Sequence, residues 1–297
     1  MKAGFISIIG RPNSGKSTLV NQLVGSYLSI VTPKAQTTRK NITAVLTENN
    51  YQIILLDTPG ILKPEHKLHE TMLEQIKKSI DDADVLVILI DGLKFNNLKF
   101  YLNSRFYELV STSKKPTLAA INKIDLINDN TIIEKLINEL KKETFLNETF
   151  AISAILGTNI DLLKDTIVKY LPESDFFYED DLISTLPIKF FVAEIIRENI
   201  YKLFSEEIPY STEVSIREFK ERSLGKWYIL AEIIVEKSSQ KKIIIGKNGD
   251  KIKELGKIAR EQIQEYLHKE IYLELFVKTR KNWRKNITYL KSFGYLK

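Results

Sequence analysis

The stretch Gly10-Arg11-Pro12-Asn13-Ser14-Gly15-Lys16-Ser17 has the form G-x-x-x-x-G-K-S. The apolar run 5–9 precedes it and a helical pattern over 16–25 follows. A strand that enters a glycine-bearing loop and leaves it as a helix is a phosphate cradle. Backbone N–H groups there converge on phosphate oxygens, and the helix N-terminus adds its positive end. In this geometry Gly10, Asn13, Ser14, Gly15 and Thr18 surround the phosphates. Lys16 reaches the outer two, and the Ser17 hydroxyl ligates Mg²⁺.

Outward from this loop the first half of the chain alternates. Apolar runs at 53–56, 85–90 and 117–121 read as strands covered on both faces. Helical patterns fall near 67–81, 98–113, 130–144 and 160–171. The alternation predicts an α/β fold with a mostly parallel sheet and right-handed crossovers. Residues 42–48 and 51–57 meet at Asn49-Asn50, which predicts a hairpin and one antiparallel strand. Pro172 closes the last helical pattern, so the first domain is 1–172. The acidic stretch 173–187 reads as a linker; a surface loop inside one domain is the alternative. A smaller α+β domain follows over 188–297, with a helix at 188–206 and strands at 213–219 and 227–235. An apolar stretch at 243–245 leads into Gly246-Lys247-Asn248-Gly249, a helix to about 268 and a strand at 271–277.

The chain has 297 residues, 43% of them hydrophobic and 28% charged, which suits two packed domains rather than a disordered chain. It has no cysteine, so disulfides, iron–sulfur clusters, zinc fingers and thiol catalysis are excluded. No apolar run approaches the ~18 residues that cross a bilayer, and the apolar N-terminus passes straight into the loop without a cleavage site. The net charge of +6 is unevenly placed: +3 over 1–172, −7 over 173–236 and +10 over 237–297. An acidic stretch before a basic end suggests a module aimed at a polyanion.

Three further motifs follow in order. Asp57-Thr58-Pro59-Gly60 closes the strand that begins near Tyr51. The Asp57 carboxylate can hold Mg²⁺ opposite Ser17, and the Gly60 N–H can meet a γ-phosphate. Asn122-Lys123-Ile124-Asp125 follows a strand. Asp125 can accept from guanine N1–H and the 2-amino group, whereas adenine would leave it unpaired. Asn122 can tie the base loop to the phosphate loop, and the Lys123 stem can cover the base. Ser153-Ala154-Ile155 stands where a final strand ends, and its N–H groups could meet the guanine carbonyl.

These four motifs resemble those of the translation-factor-type P-loop GTPases. The segment Lys34-Ala35-Gln36-Thr37-Thr38-Arg39 is similar to the effector loop of the Era family, although Ala35 stands where that family has proline. The resemblance implies that a threonine here joins the Mg²⁺ shell, with Thr38 preferred and Thr37 second. The expected catalytic set is Lys16, Thr38, Gly60 and Asn13. Ile61 occupies the position where Ras-like enzymes carry a water-orienting glutamine. An asparagine at Asn13 resembles GTPases that recruit K⁺ beside the phosphates; a purely structural role for it is the alternative.

Lysines surround Gly246-Lys247-Asn248-Gly249, and the element order resembles the type II KH module, whose loop clamps a single-stranded RNA backbone. The tail 278–297 carries seven basic and no acidic residues among its aromatics, a mixture that suits phosphate neutralisation and base stacking. Gly246, Lys247, Asn248, Gly249, Lys251, Lys281, Trp283 and Arg284 are the expected RNA contacts. Residues 190–198, 207–209 and 281–284 also resemble Era, whereas 176–187 depart from it. The family implies GTP and GDP with Mg²⁺ as ligands. It implies binding to the 3′ end of small-subunit ribosomal RNA and a role in maturing that subunit. It further implies a cytoplasmic monomer with loose association to the inner membrane face. Two other classes share the phosphate loop: a kinase or synthetase for a small molecule, and an RNA-binding protein that uses GTP only structurally.

Overall fold

The computed structural model describes residues 1–32 and 34–296. They form two units: Met1–Pro64 with His69–Thr185, and Glu65–Leu68 with Leu186–Lys297. In the first, β1 (Lys2–Ile9), β2 (Ile42–Glu48), β3 (Tyr51–Asp57), β4 (Val85–Asp91), β5 (Thr117–Asn122) and β6 (Glu148–Ala151) build one sheet in the order β2-β3-β1-β4-β5-β6. All pairings are parallel except β2 with β3. Every residue of β4 is buried, as expected of a parallel strand covered on both faces. The chain runs from β1 outward on one side of the sheet and then continues on the other. The loops after β1, β3, β5 and β6 therefore open at the same carboxyl edge, where such sheets bind ligands.

The helices are α1 (Lys16–Val24), α2 (Lys67–Asp82), α3 (Leu98–Leu102), α4 (Ser104–Ser111), α5 (Asn130–Leu140) and α6 (Ile160–Tyr170). The single pattern at 98–113 proves to be two helices. Asn103 sits at φ 60°, outside the helical region, and its side chain accepts from Phe106 N–H at 3.3 Å. It caps the second helix at the cost of interrupting the first.

The acidic stretch packs on the first unit as far as Thr185. Gln52 is fully buried in the apolar strand β3. Its Oε1 accepts from the N–H groups of Phe177 (2.8 Å) and Tyr178 (3.0 Å), and its Nε2 donates to Tyr178 O at 2.9 Å. Val45 N–H donates to Ile183 O at 2.9 Å, so the segment also covers the edge strand β2.

The second unit contains α7 (Ile188–Leu203), α8 (Ile208–Ser211), β7 (Glu213–Lys220), β8 (Trp227–Val235), α9 (Ser238–Ile245), α10 (Asp250–Leu267), β9 (Ile271–Thr279) and α11 (Ile287–Ser292). Its sheet runs β7-β8-β9, with β7 antiparallel and β9 parallel to β8. Alternate residues of β8, Ile229, Ala231, Ile233 and Val235, pack with Val192, Ile196 and Ile200 of α7 and Leu255, Ala259 and Ile263 of α10. Among the described residues no helix is long and apolar enough to cross a membrane.

Candidate functional site

The loop between β1 and α1 wraps one cleft, which Asn13, Gly15, Lys16, Ser17, Thr18 and Gly60 line together with Thr37 and Thr38. Ser14 is fully buried behind it, and Gly10 anchors the neighbouring loop by accepting from Ile61 N–H at 3.0 Å. Asn13 adopts φ 64°. Gly60 passes so close to the loop that a Cβ there would lie 2.6 Å from Pro12 N, which only glycine allows. Lys16 is 6% exposed, and its ammonium donates to Gly10 O (3.3 Å) and Arg11 O (3.1 Å). Burial pushes its pKa down to about 8, with Asp57 opposing the shift.

Ser17 Oγ donates to Asp57 Oδ2 at 2.8 Å and lies 2.8 Å from Thr38 Oγ1, which stands 3.4 Å from the same carboxylate oxygen. Adjacent oxygens of an octahedral Mg²⁺ lie about 3.0 Å apart, given bonds near 2.1 Å. Burial raises the Asp57 pKa, while Lys16, Ser17, Ser29 and Thr38 lower it. Its Oδ1 is buried without a hydrogen-bond partner. Among the described residues no three His, Cys, Asp or Glu side chains gather as a metal site. One carboxylate and two hydroxyls form the hard oxygen set that suits Mg²⁺. Thr37 is directed elsewhere, its hydroxyl donating to Lys34 O at 2.7 Å.

Asn122 Nδ2 donates to Ser14 O at 2.8 Å, and its Oδ1 accepts from Ala154 N–H at 2.9 Å. One buried amide therefore joins three loops. Asp125 accepts from Ser153 Oγ at 2.6 Å. Ser153 N–H donates to Thr158 O at 3.2 Å. The Ser153 N–H thus closes its own turn. A guanine carbonyl that meets Ala154 N–H shares it with Asn122. Lys123 sits at φ 68° and its ammonium pairs with Asp91 Oδ2 at 2.7 Å.

In the second unit Gly246 adopts φ 76°, and a Cβ there would lie 2.0 Å from Asp250 Oδ1. Gly249 and Asn248 also lie at positive φ. The loop thus turns sharply into α10, with Lys247, Asn248 and Lys251 exposed. Lys281 is also exposed. Arg284 is held by Glu236 at 2.5 Å. Trp283 differs from the expectation: it is fully buried, donates from Nε1 to Ser211 O at 2.8 Å, and packs against Phe293 and Tyr295. Its ring has no face open to a base.

Residues 5–123 match the family model "50S ribosome-binding GTPase", and residues 207–284 match the model "KH domain". The chain is 42% identical over 295 residues to the GTPase Era of Halothermothrix orenii, covering 99% of this chain and 98% of that one. The chain belongs to the Era family of GTPases. Two solved Era structures match over the full length of both chains. One is Era in complex with MgGDPNP and nucleotides 1506–1542 of 16S ribosomal RNA, at 40% identity and a TM-score of 0.95. The other is a point variant of Aquifex aeolicus Era bound to GDP·AlF4⁻, at 41% identity and a TM-score of 0.95. Asp91, Tyr101 and Arg11, to which the motifs gave no role, are hydrogen-bonded into the network around these loops. An aspartate closing the apolar run 85–90, next to the strand of Asn122, was the available signal.

Proposed function

We propose that this chain is a GTP-hydrolysing switch that binds the single-stranded 3′ end of small-subunit ribosomal RNA and assists maturation of that subunit. The observation that carries the reading is the convergence of Ser17, Thr38 and Asp57 beside Lys16, in a chain that pairs this cleft with a G-x-x-G loop on a KH fold. Ser17, Thr38 and Asp57 would hold Mg²⁺, which when bound offsets charge on the β- and γ-phosphates. Lys16 exchanges its loop carbonyls for the same phosphates, and the Gly60 N–H faces the terminal one. Asp125 selects guanine, with Asn122 fixing its loop to the phosphate loop and the Lys123 stem covering the ring. Ile61 is 5% exposed and has no polar atom on its side chain to orient water. Unassisted hydrolysis is therefore slow. Asn13, on the rim of the cleft, is the candidate ligand for a K⁺ ion that supplies the missing charge.

Release of Thr38 on loss of the γ-phosphate gives the switch its two states. Lys247, Asn248, Lys251, Lys281 and Arg284, with the backbone of Gly246 and Gly249, form the proposed RNA contacts. The charge of +10 over 237–297 supports both that role and peripheral contact of a cytoplasmic monomer with an anionic membrane face. The test has two parts. Purified protein should release phosphate from GTP without transferring it to an added small-molecule acceptor. RNA crosslinking in cells, mapped to the nucleotide, should peak at the 3′ end of small-subunit ribosomal RNA; a peak elsewhere overturns the partner.

A further inference from the structure

Behind the base loop lies a chain of side chains that the nucleotide motifs do not include. Asp91 ends β4 with its side chain 4% exposed, and its Oδ2 holds the Lys123 ammonium at 2.7 Å. Its Oδ1 accepts from Leu93 N–H at 3.1 Å. The next residue, Gly92, donates its N–H to Asn122 O at 3.1 Å. The Asp91 N–H donates to Tyr101 Oη at 3.1 Å, and that hydroxyl donates to Leu89 O at 3.1 Å. Tyr101 is 1% exposed, so its hydroxyl is fixed by these two backbone groups rather than by water. On its other side Tyr101 O accepts from Arg11 Nε at 2.7 Å, and Phe100 O accepts from Arg11 Nη2 at 2.6 Å. The guanidinium lies over the Phe100 ring at 4.9 Å. Arg11 belongs to the phosphate loop, so one continuous path joins that loop to Lys123.

Lys123 needs such support. It sits at φ 68°, a left-handed backbone that is strained for a side-chain-bearing residue. Its ammonium has Asp91 as partner, which ties the end of the side chain to β4.

We propose that Asp91, itself fixed by Tyr101, is a positioning residue for guanine recognition: it pins Lys123 so that the lysine stem forms one wall of the base site. The inference rests on the base-site reading of Asn122 to Asp125. Asp91 touches no nucleotide; it acts through Lys123, and this fixes the experiment.

Nucleotide affinity is measured with fluorescent GDP, and GTP turnover by phosphate release, for wild type, Asp91→Asn, Lys123→Met and the double variant. Asp91→Asn should weaken GDP binding about tenfold, within the usual range of coupled neighbours, with the loss in KM rather than kcat. In the Lys123→Met background the same change should cost nothing further. A fold defect would instead weaken binding in both backgrounds. Tyr101→Phe, which keeps the ring, should shift affinity in the same direction, and it serves as the independent variant if Asp91→Asn folds poorly. Additive losses from Asp91→Asn and Lys123→Met overturn the proposal, as does wild-type affinity in both Asp91→Asn and Tyr101→Phe. A wild-type protein that binds ADP as tightly as GDP overturns the base-site reading itself, which is a separate outcome.

Discussion

Replacing Asn122 by alanine removes two hydrogen bonds from one buried side chain. The amide is 3% exposed, donates to Ser14 O at 2.8 Å and accepts from Ala154 N–H at 2.9 Å. Each bond contributes about 1 kcal/mol net, but a buried partner left unsatisfied costs about 1–3 kcal/mol. Stranding Ser14 O and Ala154 N–H together should therefore destabilise the first unit by about 2–6 kcal/mol. The middle of that range lies below the ~5–15 kcal/mol that holds a typical domain, so the variant folds. The two units can be followed separately. Both tryptophans, Trp227 and Trp283, lie in the second unit. Their fluorescence reports that unit during urea unfolding, while far-UV circular dichroism reports both. The variant should move the dichroism transition to lower urea and leave the fluorescence transition in place. GDP affinity should fall as well, because the phosphate and base loops lose their common tie. A dichroism transition within about 0.5 kcal/mol of wild type, the low end of a single hydrogen bond, would refute the claim that Asn122 holds the site together.

Three other outcomes follow from the same geometry. Burial sets the Lys16 pKa at about 8 against an ordinary 10.5, so between these values the unfolded chain binds more protons and folding stability rises with pH. Nucleotide phosphates favour the charged ammonium, so GDP affinity should be full below about pH 8 and decline above it by up to tenfold per unit. Titration of affinity against pH checks this, and Lys16→Met should flatten the curve. Asp125→Asn should weaken GTP binding and improve binding of xanthine nucleotides, because an amide can donate to the carbonyl that replaces the 2-amino group; competition with xanthosine diphosphate measures it. Trp283→Ala should lower the stability of the second unit by about 3–5 kcal/mol, as for a large buried aromatic. Trp283→Phe should keep RNA affinity close to wild type in a filter-binding assay.

Much of this architecture was legible because period and motif agree. The apolar runs behind β1, β4 and β5 are continuous, as strands covered on both faces must be, and Asn49-Asn50 marks the antiparallel hairpin of the first sheet. The nucleotide motifs fall at strand ends, where an α/β sheet gathers them. What stayed hidden depends on partners distant in sequence. Asn103 reads as one polar residue in a helical pattern, and only its capping bond to Phe106 explains the break. Gln52 in an otherwise apolar strand hinted at a buried partner, but nothing local identifies the backbone of Phe177 and Tyr178. Trp283 lies in a basic, aromatic tail whose composition suits RNA equally well. Its burial follows from Ser211 O, 72 residues away, and from Tyr295 closing over it. Asp91 is an ordinary strand end until the left-handed Lys123 is placed beside it.

Coupling between the bound nucleotide and RNA affinity is what separates a switch from a constitutive RNA-binding protein. It is tested most directly by the affinity of the protein for a single-stranded oligonucleotide from the 3′ end of small-subunit ribosomal RNA, measured with Mg²⁺ and either a non-hydrolysable GTP analogue or GDP. The double substitution Lys247→Asp with Asn248→Asp serves as the control. It should abolish binding in both states and flatten the salt dependence by about 0.7 in log–log slope for each phosphate that the loop no longer neutralises. In a switch the wild-type dissociation constant differs clearly between the two nucleotides. Equal dissociation constants in the two states would contradict it and leave a constitutive RNA-binding protein that holds GTP only as a structural ligand.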